Sequence, residues 1–330
     1  MSADLVLQAE DLVKDYPMER GVVLRRHVGR LRAVDGVSLT LERGRTLALV
    51  GESGCGKLTV GRLLAGLEVP TSGLVMVEGH ELSSLRPRDA RRVRRTIQMI
   101  FQDPYASLDP RMTVGSIIGE PFDVQPDVLP AGHSKHQAVA ELMDQVGLNR
   151  GLANRYPHQF SGGERQRVGI ARALALKPSV IVADEPVSAL DVSVQAQVMN
   201  LLMDLRDEHG LSYVFISHDL AVVRQIADSI AVMYLGRIVE VGPAETIYRK
   251  PRHPYTHALL AAVPVTDPVD ERARERIRLV GDLPSPVDPP SGCGFRTRCW
   301  KAQRICSSEQ PRLLPTSGGG LVACHFPEPA

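Results

Sequence analysis

"GESGCGKLTV", residues Gly51–Val60, follows the apolar run "RTLALVG" (Arg45–Gly51) and continues into "KLTVGRLLAGL" (Lys57–Leu67). A short apolar run closed by glycine reads as a buried strand, and the apolar spacing after Lys57 reads as a helix. Gly51, Gly54 and Gly56 permit backbone angles that turn several N–H groups inward, beside the positive end of the following helix. Glu52, Ser53 and Cys55 fill the variable positions between them. Lys57 adds a point charge for the β- and γ-phosphates of a nucleotide. In such a loop the next residue carries a hydroxyl that ligates Mg²⁺, and here it is Leu58. Leucine offers no oxygen to a hard cation that demands near-octahedral oxygen geometry. Thr59 lies about 100° further round the helix and keeps its own contact near the α-phosphate. The stretch therefore predicts phosphate binding, weakened Mg²⁺ binding and slow hydrolysis.

Outward from the loop, strand and helix patterns alternate to about residue 245, as in an α/β domain with a parallel-sheet core. "SVIVADEP" (Ser179–Pro186) and "SYVFISHD" (Ser212–Asp219) are further buried strands ending in polar residues. Asp184 at the end of the first is placed to hold Mg²⁺, directly or through water, and Glu185 to polarise an attacking water. Two acids after a strand are ordinarily a solvated loop; the glycine loop upstream reverses that expectation. Between the strands, Val194, Val198, Leu201, Leu202 and Leu205 mark one helical face, with Gly210 as its stop. "IAVMYLGRIVEVG" (Ile230–Gly242) reads as two strands joined at Gly236, and the segment to about Thr40 alternates as an antiparallel sheet does. The basic run Arg86–Arg95 reads as a solvated helix face before it reads as a phosphate patch. Near Pro251 the texture changes, and "GDLPSPVDPPSGCGF" (Gly281–Phe295) is too rich in proline for a helix or central strand. The boundary falls near residue 246, giving a nucleotide-binding domain, 1–245, and a small irregular C-terminal domain, 246–330.

A net charge of +1 gives no electrostatic argument for nucleic acid. The opening residues mix Asp and Glu among apolar side chains, unlike a secretory signal. No run approaches the roughly 18 apolar residues of a membrane span, so service to a membrane would come from outside the bilayer. Four of the five cysteines, Cys293, Cys299, Cys306 and Cys324, lie in the C-terminal domain. Disulfides are disfavoured in a cytosolic chain, and the spacing lacks the close pairs of structural zinc. Four thiolates can hold an iron–sulfur cluster; small buried thiols are the other reading, and His325 is a further candidate ligand.

Five more stretches give the set its specificity: "FSGGERQRVGIARAL" (Phe160–Leu174), "SALD" (Ser188–Asp191), "FQDP" (Phe101–Pro104), "ISHD" (Ile216–Asp219) and the aromatic Tyr16. In this order the chain resembles the ATP-binding cassette of membrane transporters. The resemblance implies a P-loop fold with an antiparallel β subdomain and a helical signature subdomain, using ATP and Mg²⁺. It implies that Tyr16 stacks on adenine, that Gln102 senses nucleotide and metal and couples to the membrane subunit, and that His218 contacts the γ-phosphate. Ser161, Gly162 and Gly163 would meet the phosphate of a second cassette's ATP, and the loop ending at Asp191 would line the seam between cassettes. Glu164 for Gln and Phe160 for Leu depart from the signature tolerably; Leu58 alone touches the chemistry. Since two such cassettes pair head to tail, a non-identical ATPase partner would preserve one complete site.

The region beyond residue 246 is similar to that of ATPases from oligopeptide and dipeptide importers, nearest the F-type ATP-binding subunits of dipeptide importers. That group implies two transmembrane permease subunits, an extracytoplasmic solute-binding protein met indirectly, and a peripheral place on the cytoplasmic face of the inner membrane. Relatives there carry a [4Fe-4S] cluster in this region, and others import nickel or small solutes. A nucleotide-binding regulatory subunit with an inactive own loop is the competing reading. A soluble cassette of translation or DNA repair would carry a second cassette or a coiled-coil insertion, and this sequence has neither.

Overall fold

The computed structural model describes residues 4–20, 26–129, 131–263, 279, 281–316 and 318–329. In chain order these form β1 (Leu5–Arg20), β2 (Arg26–Glu42), β3 (Thr46–Val50), α1 (Lys57–Leu64), β4 (Ser72–Val77), β5 (His80–Glu81), α2 (Pro87–Thr96) and β6 (Ile97–Ile100). Next come α3 (Pro104–Ser107), α4 (Val114–Val124), α5 (Lys135–Gln145), α6 (Gly162–Leu174), β7 (Val180–Asp184), α7 (Val192–His209), β8 (Ser212–Ser217) and α8 (Leu220–Ile226). They are followed by β9 (Ser229–Tyr234), β10 (Arg237–Pro243), α9 (Ala244–Arg249), α10 (Pro254–Ala261), α11 (Arg304–Ser308), β11 (Leu314–Pro315) and β12 (Leu321–Val322). The chain folds as two compact units: Met1–Leu7, Leu41–Arg45 and Val77–Val214, and Gln8–Thr40, Thr46–Met76 and Phe215–Ala330.

The first unit sets a helical group beside a parallel strand pair. β6 runs parallel to β7, from Ile97 opposite Val180 to Ile100 opposite Ala183. Every residue of β7 is buried, so the strand reads as an unbroken apolar run instead of an alternating one. Helices α4, α5 and α6 pack on one another, with α3 and α7 against α6. Their starts are written in the sequence: Thr113 caps α4, a reciprocal Ser134–Gln137 box caps α5, and the Asp191 carboxylate accepts the Val194 N–H at the head of α7. Gly210 ends α7 in the left-handed region, at φ 63°. The buried stripe of α7 is Val198, Met199, Leu202 and Leu205; Val194 and Leu201, expected on that face, are only half-buried, and Met199, not expected there, is buried. The basic run falls on α2, which turns Ala90 and Val93 inward and leaves Arg91, Arg92 and Arg94 exposed.

In the second unit β3 runs parallel to β9, with Leu47 opposite Ser229 and Val50 opposite Val232. β10 returns antiparallel on β9 through the Leu235–Gly236 turn, as the two-strand reading of that segment predicts. β12 then pairs antiparallel with β10, and β11 with β12. β2, β1 and β4 are neighbours in a separate sheet. Leu47 to Val50 and Ile230 to Met233 are all 2% exposed or less, which puts the base of the glycine loop in the core of this unit. Residue 246, where the boundary is expected, lies inside α9, which packs on β9 and β10. The proline-rich stretch 281–295 carries no helix or strand.

Candidate nucleotide-binding site

The glycine loop leaves the end of β3 and enters α1. Gly51 has φ 155°, and a Cβ there would stand 2.3 Å from the Met233 carbonyl oxygen. Gly56 has φ 108°, and its Cβ would stand 2.3 Å from the Ala33 carbonyl oxygen. Both positions therefore require glycine on contact and on conformation. Gly56 opens α1 with no side-chain cap and no acid in the first turn, which leaves the helix end suited to an anion. Lys57 is 6% exposed and donates to the carbonyls of Gly51, at 2.6 Å, and Glu52, at 3.0 Å. The ammonium thus closes the loop on itself from within. Ser53 and Gly54 are exposed; Cys55 is buried, and burial pushes its thiol up. Leu58 projects from the first turn with 36% of its surface exposed, and Thr59 is half-buried.

Tyr16, half-buried on β1, hydrogen-bonds to the Glu68 carboxylate and lies within hydrogen-bonding reach of Thr59. It therefore stands beside α1, and burial raises its phenol. His218 is exposed just past the end of β8. There Ser217 accepts the Asp219 N–H at 3.0 Å, and Asp219 caps α8. These residues share the second unit with the loop.

The first unit gathers the other predicted residues. Asp184 ends β7 and is 5% exposed, whereas Glu185 has φ 41°, in the left-handed region that a non-glycine residue rarely adopts. Such strain concentrates at functional sites. The Gln102 amide donates to the Glu185 carboxylate at 2.9 Å, joining two residues 83 apart in sequence. Gln102 is held by α3, whose cap Asp103 accepts the Tyr105 N–H at 2.7 Å. The Arg165 guanidinium stacks 3.7 Å from the Tyr105 ring centre and donates to the Pro157 carbonyl at 2.7 Å.

Ser161 caps α6, so Gly162 and Gly163 present the helix's first N–H groups. Gly163 packs so closely on α7 that a Cβ would sit 2.3 Å from Val194 Cγ1. That approach sets the start of α6 beside the start of α7, where Asp191 is exposed. Glu164 completes a capping box: both the N–H and the hydroxyl of Ser161 donate to its carboxylate at 2.8 Å. These two donors, the backbone one first, hold the Glu164 carboxyl below its usual value. Asp191 is lowered as well, by the Ser193 hydroxyl and the Val194 N–H.

The four C-terminal thiols are drawn into one region: the charges of Cys293, Cys299 and Cys306 all bear on Cys324, whose pKa is pushed up to about 11, chiefly by burial. Among the described residues no three His, Cys, Asp or Glu side chains stand in an arrangement that could hold a metal ion. His325 faces the Glu309 carbonyl instead, at 3.0 Å. That arrangement of the described residues does not fit an iron–sulfur cluster.

Two residues at the loop were not anticipated from sequence. Arg298 donates to both carboxylate oxygens of Glu52, at 2.6 and 2.9 Å, and the Tyr255 hydroxyl accepts the Glu52 N–H at 2.9 Å. The available signal was Glu52 itself, an acid inside a loop built for anions, which calls for a compensating cation.

The family described as "ABC transporter" matches residues 34–188, and "Oligopeptide/dipeptide transporter, C-terminal region" matches 239–306. A probable peptide ABC transporter ATP-binding protein of Sinorhizobium fredii is 53% identical over 99% of this chain and 92% of its own length. The dipeptide transport ATP-binding protein DppF of Haemophilus influenzae is 52% identical, over 97% of this chain and 96% of its own. The oligopeptide transport ATP-binding protein AppF of Bacillus subtilis is 50% identical, over 98% of both. Among solved structures, a post-hydrolysis dimer of the ATP-binding cassette MJ0796 bound to ADP and Pi superposes with a TM-score of 0.63 at 28% identity. It covers 72% of this chain and 98% of that one. With half of its residues shared along nearly the whole polypeptide, the chain belongs to the ABC transporter family, among the ATP-binding proteins that carry the oligopeptide/dipeptide transporter C-terminal region.

Proposed function

We propose that this chain is the ATP-hydrolysing subunit of a membrane importer for di- and oligopeptides. The observation that carries the reading is 50–53% identity over nearly the full length to ATP-binding proteins named for peptide, dipeptide and oligopeptide transport, through the C-terminal region as well as the cassette. Residues 1–245 act as the nucleotide-binding domain and 246–330 as the C-terminal domain of that importer class.

In the working site Tyr16 stacks on adenine, and the backbone from Gly51 to Thr59 surrounds the phosphates. Lys57 turns from the Gly51 and Glu52 carbonyls to the β- and γ-phosphates. Asp184 and Gln102 would hold Mg²⁺, which would supply positive charge against the phosphates. Glu185 polarises the attacking water, and the Gln102–Glu185 hydrogen bond supports a link between metal binding and the base. His218 contacts the γ-phosphate. Ser161, Gly162, Gly163 and Asp191 face the nucleotide of a second cassette, and the close packing of α6 on α7 supports that shared surface.

Leu58 attenuates this loop without abolishing it, because Asp184 and Gln102 keep their oxygens. A non-identical partner with an intact loop restores one full site, using the signature of this chain. Two permeases and a solute-binding protein complete the importer, and this subunit sits peripherally on the cytoplasmic face. Among the described residues no helix is long and apolar enough to cross a membrane. Reconstitution in proteoliposomes with permeases, a second cassette and a solute-binding protein from the same genome tests the reading. Peptide-stimulated ATP hydrolysis is expected. Stimulation by nickel or another small solute, with none by peptides, would overturn the cargo class.

A further inference from the structure

Glu52 is held at three points. Its carbonyl accepts from Lys57 at 3.0 Å, its N–H donates to Tyr255 at 2.9 Å, and its carboxylate takes both arms of the Arg298 guanidinium. The last contact spans 246 positions of sequence and is well shielded, the side chains being 7% exposed for Arg298 and 28% for Glu52. A paired fork of this kind fixes direction as well as charge. Behind it Tyr255 is fully buried, and its ring meets those of Tyr234, at 4.7 Å, and Phe295, at 5.3 Å.

Arg298 is carried by the cysteine-bearing segment, between Cys293 and Cys299. That segment is tied to α11 by the Cys293 N–H, which donates to the Cys306 carbonyl at 2.8 Å. Gly292 lies against the same turn, where a Cβ would stand 2.5 Å from the Cys306 carbonyl oxygen. The guanidinium is therefore aimed by a braced piece of chain.

We propose that Arg298 is a positioning residue for the phosphate loop, which it serves by neutralising and orienting Glu52. A carboxylate within a loop that binds a polyanion repels the ligand, and low local dielectric strengthens that repulsion. Pairing cancels the charge and holds the carboxylate back toward the C-terminal segment. Through this contact the cysteine-bearing segment governs nucleotide affinity without touching nucleotide. The inference rests on nucleotide binding by this loop.

The test is a titration of the purified full chain with a fluorescent ATP analogue, using wild type, R298Q, R298K, E52Q and R298Q/E52Q, with Tm recorded for each. R298Q leaves Glu52 unpaired and is expected to weaken binding about tenfold, equivalent to ~1.4 kcal/mol. R298K, which keeps the charge and loses the fork, should fall between R298Q and wild type. Removing the acid as well should return R298Q/E52Q to within about threefold of wild type, although two contacts are then missing. A simple brace would instead leave the double variant at least as weak as R298Q. The R298Q defect should also shrink at high salt, as screening reduces the repulsion. Unchanged affinity in R298Q, or no recovery in the double variant, would overturn the proposal while wild-type binding keeps the nucleotide reading intact. A wild-type chain that bound no nucleotide would overturn both. Should R298Q fail to fold, E52Q and the folded double variant decide: both must bind at least as well as one-third of wild-type affinity.

Discussion

Replacing Leu58 by Ser should move stability and chemistry in opposite directions. With 36% of its surface exposed, Leu58 keeps about two-thirds of its side chain out of water. Full burial of a leucine contributes roughly 1.5–3 kcal/mol, so the buried share contributes about 1–2 kcal/mol. Serine is also the poorer helix former, by a few tenths of a kcal/mol. Without nucleotide, Leu58→Ser should therefore lose ~2 kcal/mol and several degrees of Tm, at about 2–4 °C per kcal/mol. On the proposed reading the new hydroxyl would stand where a ligand to Mg²⁺ is wanted. Removing one well-placed electrostatic contact from an active site costs about 10²–10³ in rate. On the proposed reading Asp184 and Gln102 would still supply oxygens, so the gain should be smaller, roughly 10- to 100-fold in turnover, or ~1.4–2.7 kcal/mol. The assay is steady-state phosphate release over an Mg²⁺ titration, beside thermal melts with and without Mg-ATP. The half-saturating Mg²⁺ concentration should fall and the melting deficit should close when nucleotide is added. A variant that melts lower yet shows unchanged turnover and unchanged Mg²⁺ dependence would refute the reasoning.

Glu185→Gln should reduce single-turnover hydrolysis about 10²- to 10⁴-fold with ATP binding preserved, as loss of a general base does; equal loss of binding would count against that role. Gly163→Ala forces a Cβ to within 2.3 Å of Val194 Cγ1, and should cost ~1–3 kcal/mol in urea unfolding, most of it recovered by adding Val194→Ala. His253 is buried, its Nδ1 accepts the Tyr255 N–H at 3.0 Å, and burial lowers its pKa from 6.5 to about 3. The unfolded chain then binds a proton that the folded chain refuses. Stability from this group is full above pH 6.5 and declines by ~1.4 kcal/mol per pH unit as pH falls toward 3. His253→Gln should flatten that slope in denaturant melts between pH 7 and 5, and an unchanged slope would refute the assignment.

The parts that sequence made legible are those encoded locally. β7 and β8 are wholly buried, so their apolar runs stand out, and Gly210, read as a helix stop, sits one residue past the end of α7. Gly51 and Gly56 were legible because contact and φ both exclude a side chain. The capping box of Glu164 follows the Ser-x-x-Glu spacing, yet the residue was read only as a departure from a signature. Arg298 and Tyr255 were not legible. An ion pair between residues so far apart leaves no periodicity, and an arginine among prolines and cysteines looks like surface charge. The thiols are the opposite case: four cysteines suggest a ligand set, while among the described residues no three His, Cys, Asp or Glu side chains stand as one.

β12 lies against β10, with Glu240 opposite Val322, and β11 lies outside it. A ribosome delivers β10 some 80 residues before the strand that covers its free edge. During that interval the nascent chain displays a row of unpaired peptide groups next to a buried apolar sheet, the kind of template to which another chain can add. Truncations upstream of residue 314 should therefore be recovered as aggregates, and a chaperone that holds this edge would act late in synthesis, after the phosphate loop has already emerged.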